Sequence, residues 1–119
     1  MVVDNSDDAT EEWRPVVGYE GNYEVSSLGR IRGLIPHTKY AVGRILTPYS
    51  GRQGYVSVSL CRDGKRYTVP VHRIVTQAFL GPRPTGYTVN HKNRNKRDNS
   101  TRNLEYVTRK ENTWHAART

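Results

Sequence analysis

Val89-Asn90-His91-Lys92-Asn93 opens a stretch that runs through a loop rich in Asn, Lys and Arg to Asn103-Leu104-Glu105-Tyr106-Val107-Thr108 and ends on Glu111-Asn112. His91 stands with three asparagines, one residue before it (Asn90) and 12 and 21 residues after it (Asn103 and Asn112). Two strand-like pieces and a helix start would bring these four side chains together. An imidazole ringed by side-chain carbonyl oxygens can deprotonate a water beside a hard divalent cation, which is what phosphodiester hydrolysis requires.

The flanks of this stretch have readable local structure. Tyr87 to Asn90 reads as one strand and Leu104 to Val107 as a second. Thr108-Arg109-Lys110-Glu111 has the form of a capping box, in which the Thr and Glu side chains satisfy backbone N–H groups of a first helical turn. A helix is predicted to start there and to carry Asn112, Trp114 and His115, making a ββα unit with the two strands. Upstream, His72 to Leu80 places apolar residues at 74, 75, 78 and 79, a helical period, and Gly81-Pro82-Arg83-Pro84 ends it. Ile45 to Pro48 is a short extended piece. Tyr55 to Leu60 alternates as a strand does, and Asp63-Gly64 turns it into a hairpin with Lys65 to Val71. Between Trp13 and Arg32, the signals at Gly18, Gly21-Asn22 and Leu28-Gly29 separate short β pieces. Arg30 and Arg32 fall on one side of such a strand and Ile31 on the other. The fold class expected is α+β: a small, mostly antiparallel sheet module followed by the ββα unit.

At 119 residues the chain is one domain, or one small domain with an appendage, and at 34% hydrophobic residues its core must be small. The single cysteine, Cys61, excludes an intrachain disulfide and a Cys-rich zinc site, so a reducing cytoplasm is the expected compartment. There is no run of 18 apolar residues and no basic-then-apolar leader, so no membrane partner is expected. The formal net charge is +8, and it is unevenly spread. Asp4, Asp7, Asp8, Glu11 and Glu12 crowd the first twelve residues, which leaves all 19 Lys/Arg against six acids beyond them. Such a field favours a polyanion, nucleic acid before an anionic membrane, because no amphipathic basic helix is visible. The divisions expected are a flexible acidic tail at 1–11, a β-rich module at 12–70 and the ββα unit at 71–119.

The frame Val-Asn-His…Asp-Asn…Asn-Leu-Glu-Tyr-Val-Thr-x-x-Glu-Asn, spanning Val89 to Asn112, resembles the HNH endonucleases of phages and their homing relatives. The preceding Val-His-Arg-Ile-Val-x-x-Ala-Phe helix is similar to the same family. Trp13 to Arg32, with its Gly-Tyr-Glu-x-x-Tyr-x-Val-Ser-x-x-Gly-Arg-Ile-Arg pattern, looks like the modular DNA-binding motif often found in front of these nucleases. The resemblance implies a ββα-metal (His-Me finger) nuclease that nicks or cuts double-stranded DNA with one divalent cation per site. It puts His91 in the general-base position and Asn103 in that of the residue orienting it, by accepting its other ring N–H. It puts Asn90 and Asn112 in the metal-ligand positions. Asn90 replaces an Asp common there, which leaves the implied ligand set without a carboxylate. Mg²⁺ or Mn²⁺ suits such oxygen donors; structural zinc is not expected, for want of thiolates.

His115, one turn beyond Asn112, is expected on the same helix face, touching phosphate or supporting the metal ligands. Lys92, Arg94, Lys96, Arg97 and Arg102 crowd the loop between the two strands, where phosphate contact is favoured over a merely solvated charge run. Arg30 and Arg32, with Lys39 and Arg44, are candidates for a second DNA-facing surface. Asn99 reads as loop architecture, His72 as a structural hydrogen-bonder and Cys61 as unreactive. The competing class is a non-catalytic phage DNA-binding accessory or regulator with a decayed site; an RNA-directed nuclease is the third. The expected state is a monomer in the cytoplasm, that of the host for a phage-encoded chain. Whether a packaging enzyme or another protein partner directs it is left open by the residues.

Overall fold

A computed structural model of the chain describes residues 11–35 and 42–110. Among these, β1 (Trp13–Pro15), β2 (Tyr23–Ser26) and β3 (Ile31–Gly33) form one antiparallel sheet in that order. β4 (Tyr49–Ser50), β5 (Val56–Arg62) and β6 (Lys65–Pro70) form a second, and α1 (Val71–Phe79) follows at once. β7 (Tyr87–His91) and β8 (Leu104–Thr108) form the third. The architecture is α+β, with small antiparallel sheets around one helix. Ile45, expected within an extended piece, makes only an isolated bridge to Arg32, and the regular strand begins later, at Tyr49. The backbone turns helical at Arg109–Lys110, as the capping box predicts; Asn112, Trp114 and His115 lie outside the described residues.

Each element follows from its residues. Val56, Val58 and Leu60 are buried along β5, and Asp63 (φ 54°) with Gly64 (φ 75°) supplies the two left-handed residues that a tight hairpin turn demands. α1 starts directly after Pro70, which is extended at φ −65° and adds no side-chain cap. The helix is held by its buried stripe of Val71, Ile74 and Val75 rather than by its ends.

That stripe joins the sequence-distant parts of the chain. Val16, Val25 and Ile31 from the N-terminal region, Val56, Val58 and Leu60 from the second sheet, and Leu104 from β8 pack with it into one cluster. Truncating Ile74, 2% exposed at its centre, strips packing from several elements at once, a class of change that costs about 2–5 kcal/mol. Arg14 adds a polar tie from β1, its guanidinium 4.5 Å from the Phe79 ring centroid and donating to the Ala78 carbonyl at 3.1 Å.

The N-terminal arginines are committed locally. Arg32 donates from Nη2 to Glu24 Oε1 at 2.6 Å and lies 3.9 Å from the Trp13 ring centroid. Arg30 pairs with Glu11 and also lies against Trp13, at 5.6 Å. Glu11, read from sequence as the end of a free acidic tail, is thus engaged, and its carboxyl is held below the usual carboxylate range chiefly by its hydrogen bond with Arg30. The guanidiniums of Arg30 and Arg32, two of those that the sequence offers for DNA, spend donors on glutamates and lie against the Trp13 indole.

Candidate active site

The β7–β8 ladder fixes the geometry of the site. Asn90 pairs with Glu105 and His91 with Leu104 in antiparallel register, so the two central residues sit side by side at the end of β7. Both are buried, Asn90 at 9% and His91 at 6% exposure. Consecutive residues of a strand face opposite ways, so burying both requires cover on each face of the hairpin. α1 packs against both β7 and β8.

Residues 92–103 form the loop that crosses between the strands, and Asn103 closes it. Its Oδ1 accepts the Asn93 N–H at 2.9 Å, its Nδ2 donates to the Asp98 carbonyl at 2.8 Å, and its own carbonyl accepts the Lys92 N–H at 2.8 Å. The Asp98 carboxylate accepts from Asn93 Nδ2 and from Ser100 Oγ, both at 2.9 Å. The loop is therefore stapled from within, and Arg94 takes a left-handed conformation at φ 68° to make its turn.

The expectation that Asn103 accepts the histidine's ring N–H is corrected by this arrangement. The Asn103 carboxamide is used on the loop backbone, and Asn99 meets the imidazole instead, His91 Nε2 to Asn99 Oδ1 at 2.8 Å. A carboxamide oxygen can only accept, so Nε2 carries the proton and Nδ1 is left as the basic nitrogen. Asn99, read from sequence as loop architecture, is 5% exposed. No spacing rule marks it, because its contact depends on how a twelve-residue loop folds back.

Asn90 has a neighbour that sequence reading also missed. Its Nδ2 donates to Glu105 Oε2 at 2.8 Å, directly across the ladder. The amide nitrogen is thereby turned to the carboxylate, and the side-chain carbonyl is the oxygen left for a hard cation. The donor chemistry fits a divalent ion that favours oxygen, and a carboxylate lies one hydrogen bond away. Asn112 and His115 belong to the residues that are not described.

Beside His91 stands an aromatic group. His72, from the first turn of α1, meets it edge-on, and Tyr55 lies against both rings at centroid distances of 5.1 Å (His72) and 5.9 Å (His91). Burial, then the proximity of His91 and Arg73, push the His72 imidazole down to about 4, so it is neutral at physiological pH. Its Nδ1 is buried without a hydrogen-bond partner among the described residues.

Two residues of the basic loop reach across to the neighbouring β4–β5 region. Lys96 donates to the Gln53 carbonyl at 2.7 Å and lies 4.6 Å from the Tyr55 ring centroid, and Arg97 donates to Ser50 Oγ at 2.6 Å. These two tie the loop to the second sheet. Lys92, Arg94 and Arg102, on the loop and its closing turn, are exposed. Arg44 is exposed as well, and Lys39 lies outside the described residues.

Likeness to known proteins points the same way as this geometry. Residues 69–114 match the HNH endonuclease family and residues 11–61 match the NUMOD4 motif, so the chain carries an HNH endonuclease domain with a NUMOD4 motif in front of it. The DNA endonuclease I-HmuI of Bacillus phage SP01 is 36% identical over 101 residues, covering 85% of this chain and 55% of that protein. An uncharacterised HNH endonuclease of Acanthamoeba polyphaga mimivirus, L245, is 34% identical over 105 residues, covering 88% of this chain and 29% of that protein. The solved structure describing DNA binding and cleavage by the HNH homing endonuclease I-HmuI superposes with a TM-score of 0.78 at 34% identity, covering 90% of this chain and 58% of that one. The chain thus spans about half the length of I-HmuI and under a third of the mimivirus protein.

Proposed function

We propose that the chain is a divalent-metal-dependent endonuclease that hydrolyses phosphodiester bonds of double-stranded DNA, with His91 as general base. The observation that carries this reading is the His91–Asn99 hydrogen bond. It puts the proton on Nε2 and leaves Nδ1 to take one from the attacking water. A base of this kind needs a fixed ring, and the stapled loop and the surrounding rings of His72 and Tyr55 supply that rigidity.

Asn90, oriented by Glu105, and Asn112 are the residues that would hold the cation, Mg²⁺ or Mn²⁺. A divalent ion held there would supply the positive charge that stabilises the negative charge developing in phosphodiester hydrolysis. Lys92, Arg94 and Arg102 would grip flanking phosphates, which positions the duplex without reading its bases. The chain is proposed to act as a monomer in a cytoplasmic compartment, with 12–70 as its DNA-binding module and 71–119 as the nuclease unit.

Supercoiled plasmid incubated with the chain and Mg²⁺, Mn²⁺ or EDTA tests the reading in one gel. Nicked or linear product is expected with metal and none with EDTA. Duplex binding without cleavage under either metal would turn the assignment to a non-catalytic binder.

A further inference from the structure

Asn99, which holds His91, is itself held from outside its own loop. The β2–β3 turn of the N-terminal sheet, Ser26 to Arg30, comes up against residues 99–101. The Thr101 N–H donates to the Ser27 carbonyl at 2.8 Å. Gly29 lies so close that a Cβ there would stand 2.9 Å from the Asn99 carbonyl oxygen, 3.1 Å from its carbonyl carbon and 3.3 Å from its Cβ.

The turn is rigid enough to act as a wall. Ser26 is fully buried, and its Oγ accepts the N–H groups of Leu28 (3.2 Å) and Arg30 (3.1 Å). Ser26 N–H donates to the Arg30 carbonyl and Gly29 N–H to the Ser26 carbonyl, at 2.8 and 2.9 Å. Ser27 is tied in turn to Glu12, whose N–H donates to Ser27 Oγ at 3.0 Å. Gly29 has φ +89°, so it is glycine for two reasons: the backbone is left-handed and there is no room for a methyl group.

We propose that Asn99 is the positioning residue for His91 and that the Ser26–Arg30 turn is the wall that sets it. The N-terminal motif is then a structural part of the nuclease centre as well as a DNA-binding attachment. This rests on the reading of His91 as general base. The chain of contact is short: turn backbone against the Asn99 backbone, Asn99 carboxamide onto His91 Nε2, and Nδ1 left as the base. If the wall shifts, the carboxamide leaves Nε2 and the ring is free to carry its proton on Nδ1, where it cannot act as a base.

Four variants of the full chain test this: Asn99→Leu, Asn99→Asp, Gly29→Ala and, as a control, Gly21→Ala. Gly21 has nearly the same backbone (φ +86°), and nothing lies within 4 Å of the point where an alanine methyl would stand. It therefore carries the conformational penalty without the clash. Two readouts are taken: the single-turnover nicking rate on saturating duplex, and the ¹⁵N chemical shifts of the His91 ring, which report the tautomer without DNA or metal. Asn99→Leu should lower the rate about 10–100-fold, as loss of a residue that orients a functional histidine does, with duplex affinity unchanged. Its spectrum should lose the pure Nε2–H signature. Asn99→Asp keeps an acceptor and should recover most of both. Gly29→Ala should follow Asn99→Leu, and Gly21→Ala should match wild type. An unchanged Nε2–H signature in Asn99→Leu and Gly29→Ala overturns the proposal whether or not the chain cleaves. Should His91→Ala cleave normally, the functional reading fails, and the ring spectra still decide the role of Asn99.

Discussion

The imidazole of His72 stands edge-on to that of His91, ring centroids 5.4 Å apart at an interplanar angle of 76°. The His72 ring is held neutral, its value pushed down to about 4, first by burial and then by the neighbouring His91 and Arg73. The contact makes His72 part of the packing around the proposed base, and it has a consequence for stability.

Unfolded His72 titrates near 6.5 and folded His72 near 4, so between those values the unfolded chain binds more protons. Stability should therefore fall as pH drops from about 6.5 to 4. The carboxylates of Glu11 and Glu20, lowered by their hydrogen bonds, add losses only below about their ordinary value of 4.5. Thermal unfolding from pH 7 to 4.5 should show the midpoint falling by on the order of 10 °C, from about 2 kcal/mol of lost stability at about 4–8 °C per kcal/mol for a small domain. His72→Phe, which keeps the ring packing, should flatten that slope; an unchanged slope would assign it to other groups.

His91→Ala should abolish cleavage and leave duplex affinity nearly intact, since a general base contributes roughly 10²–10⁴-fold and grips no phosphate. Rates and binding curves measured on the same preparation check this. Wild-type rates across a range of pH would show that another group takes the proton.

Lys92 and Arg94 are exposed; Arg97 is exposed too but donates to Ser50, and the half-buried Lys96 donates to Gln53. Replacing Lys92 and Arg94 together by Ala should weaken binding to all duplexes alike. The slope of log affinity against log salt should become shallower by about 0.9 for each phosphate left unneutralised. Lys96→Ala should instead lower the melting temperature and loosen the loop. A salt slope that drops equally for Lys96→Ala would show that its ammonium also reaches phosphate.

Arg32→Ala removes both the Glu24 pair and the stack on Trp13, for a loss of about 1–2 kcal/mol. Lys should not restore it, because a point charge replaces neither the planar stack nor the fork. Denaturant unfolding measures this. A variant of undiminished stability that has lost duplex affinity would return Arg32 to the DNA-facing surface expected from the sequence.

Asn90→Asp would place two carboxylates across the ladder at 90 and 105, repelling each other until a cation sits between them. The variant should be less stable without metal and bind Mn²⁺ more tightly, and Glu105→Gln should weaken Mn²⁺ binding in the parent chain. Calorimetric titration with and without an uncleavable duplex reads both effects. Equal Mn²⁺ affinity in parent and Glu105→Gln would remove the carboxylate from the site.

Local pattern alone determined a large part of this protein. Alternation in Val56 to Leu60, the Asp63-Gly64 turn, the helical period of Ile74, Val75, Ala78 and Phe79, and the strands around His91 are all properties of neighbouring residues, and each appears where the pattern puts it. The Val89 to Asn112 frame likewise announces an HNH domain without a structure. Tertiary structure alone decided the partners. Asn103 and Asn99 are the same residue type in the same loop, and only the folded loop turns one toward its own backbone and the other toward His91. Arg30 and Arg32 look free for DNA until Glu11, Glu24 and Trp13 close on them. Glu105 meets Asn90 because of ladder register, and Gly29 reaches Asn99 because two sequence-distant turns pack on a common core. A side chain's period is set by its own backbone, but the group it bonds is set by what long-range packing leaves within about 3 Å of it.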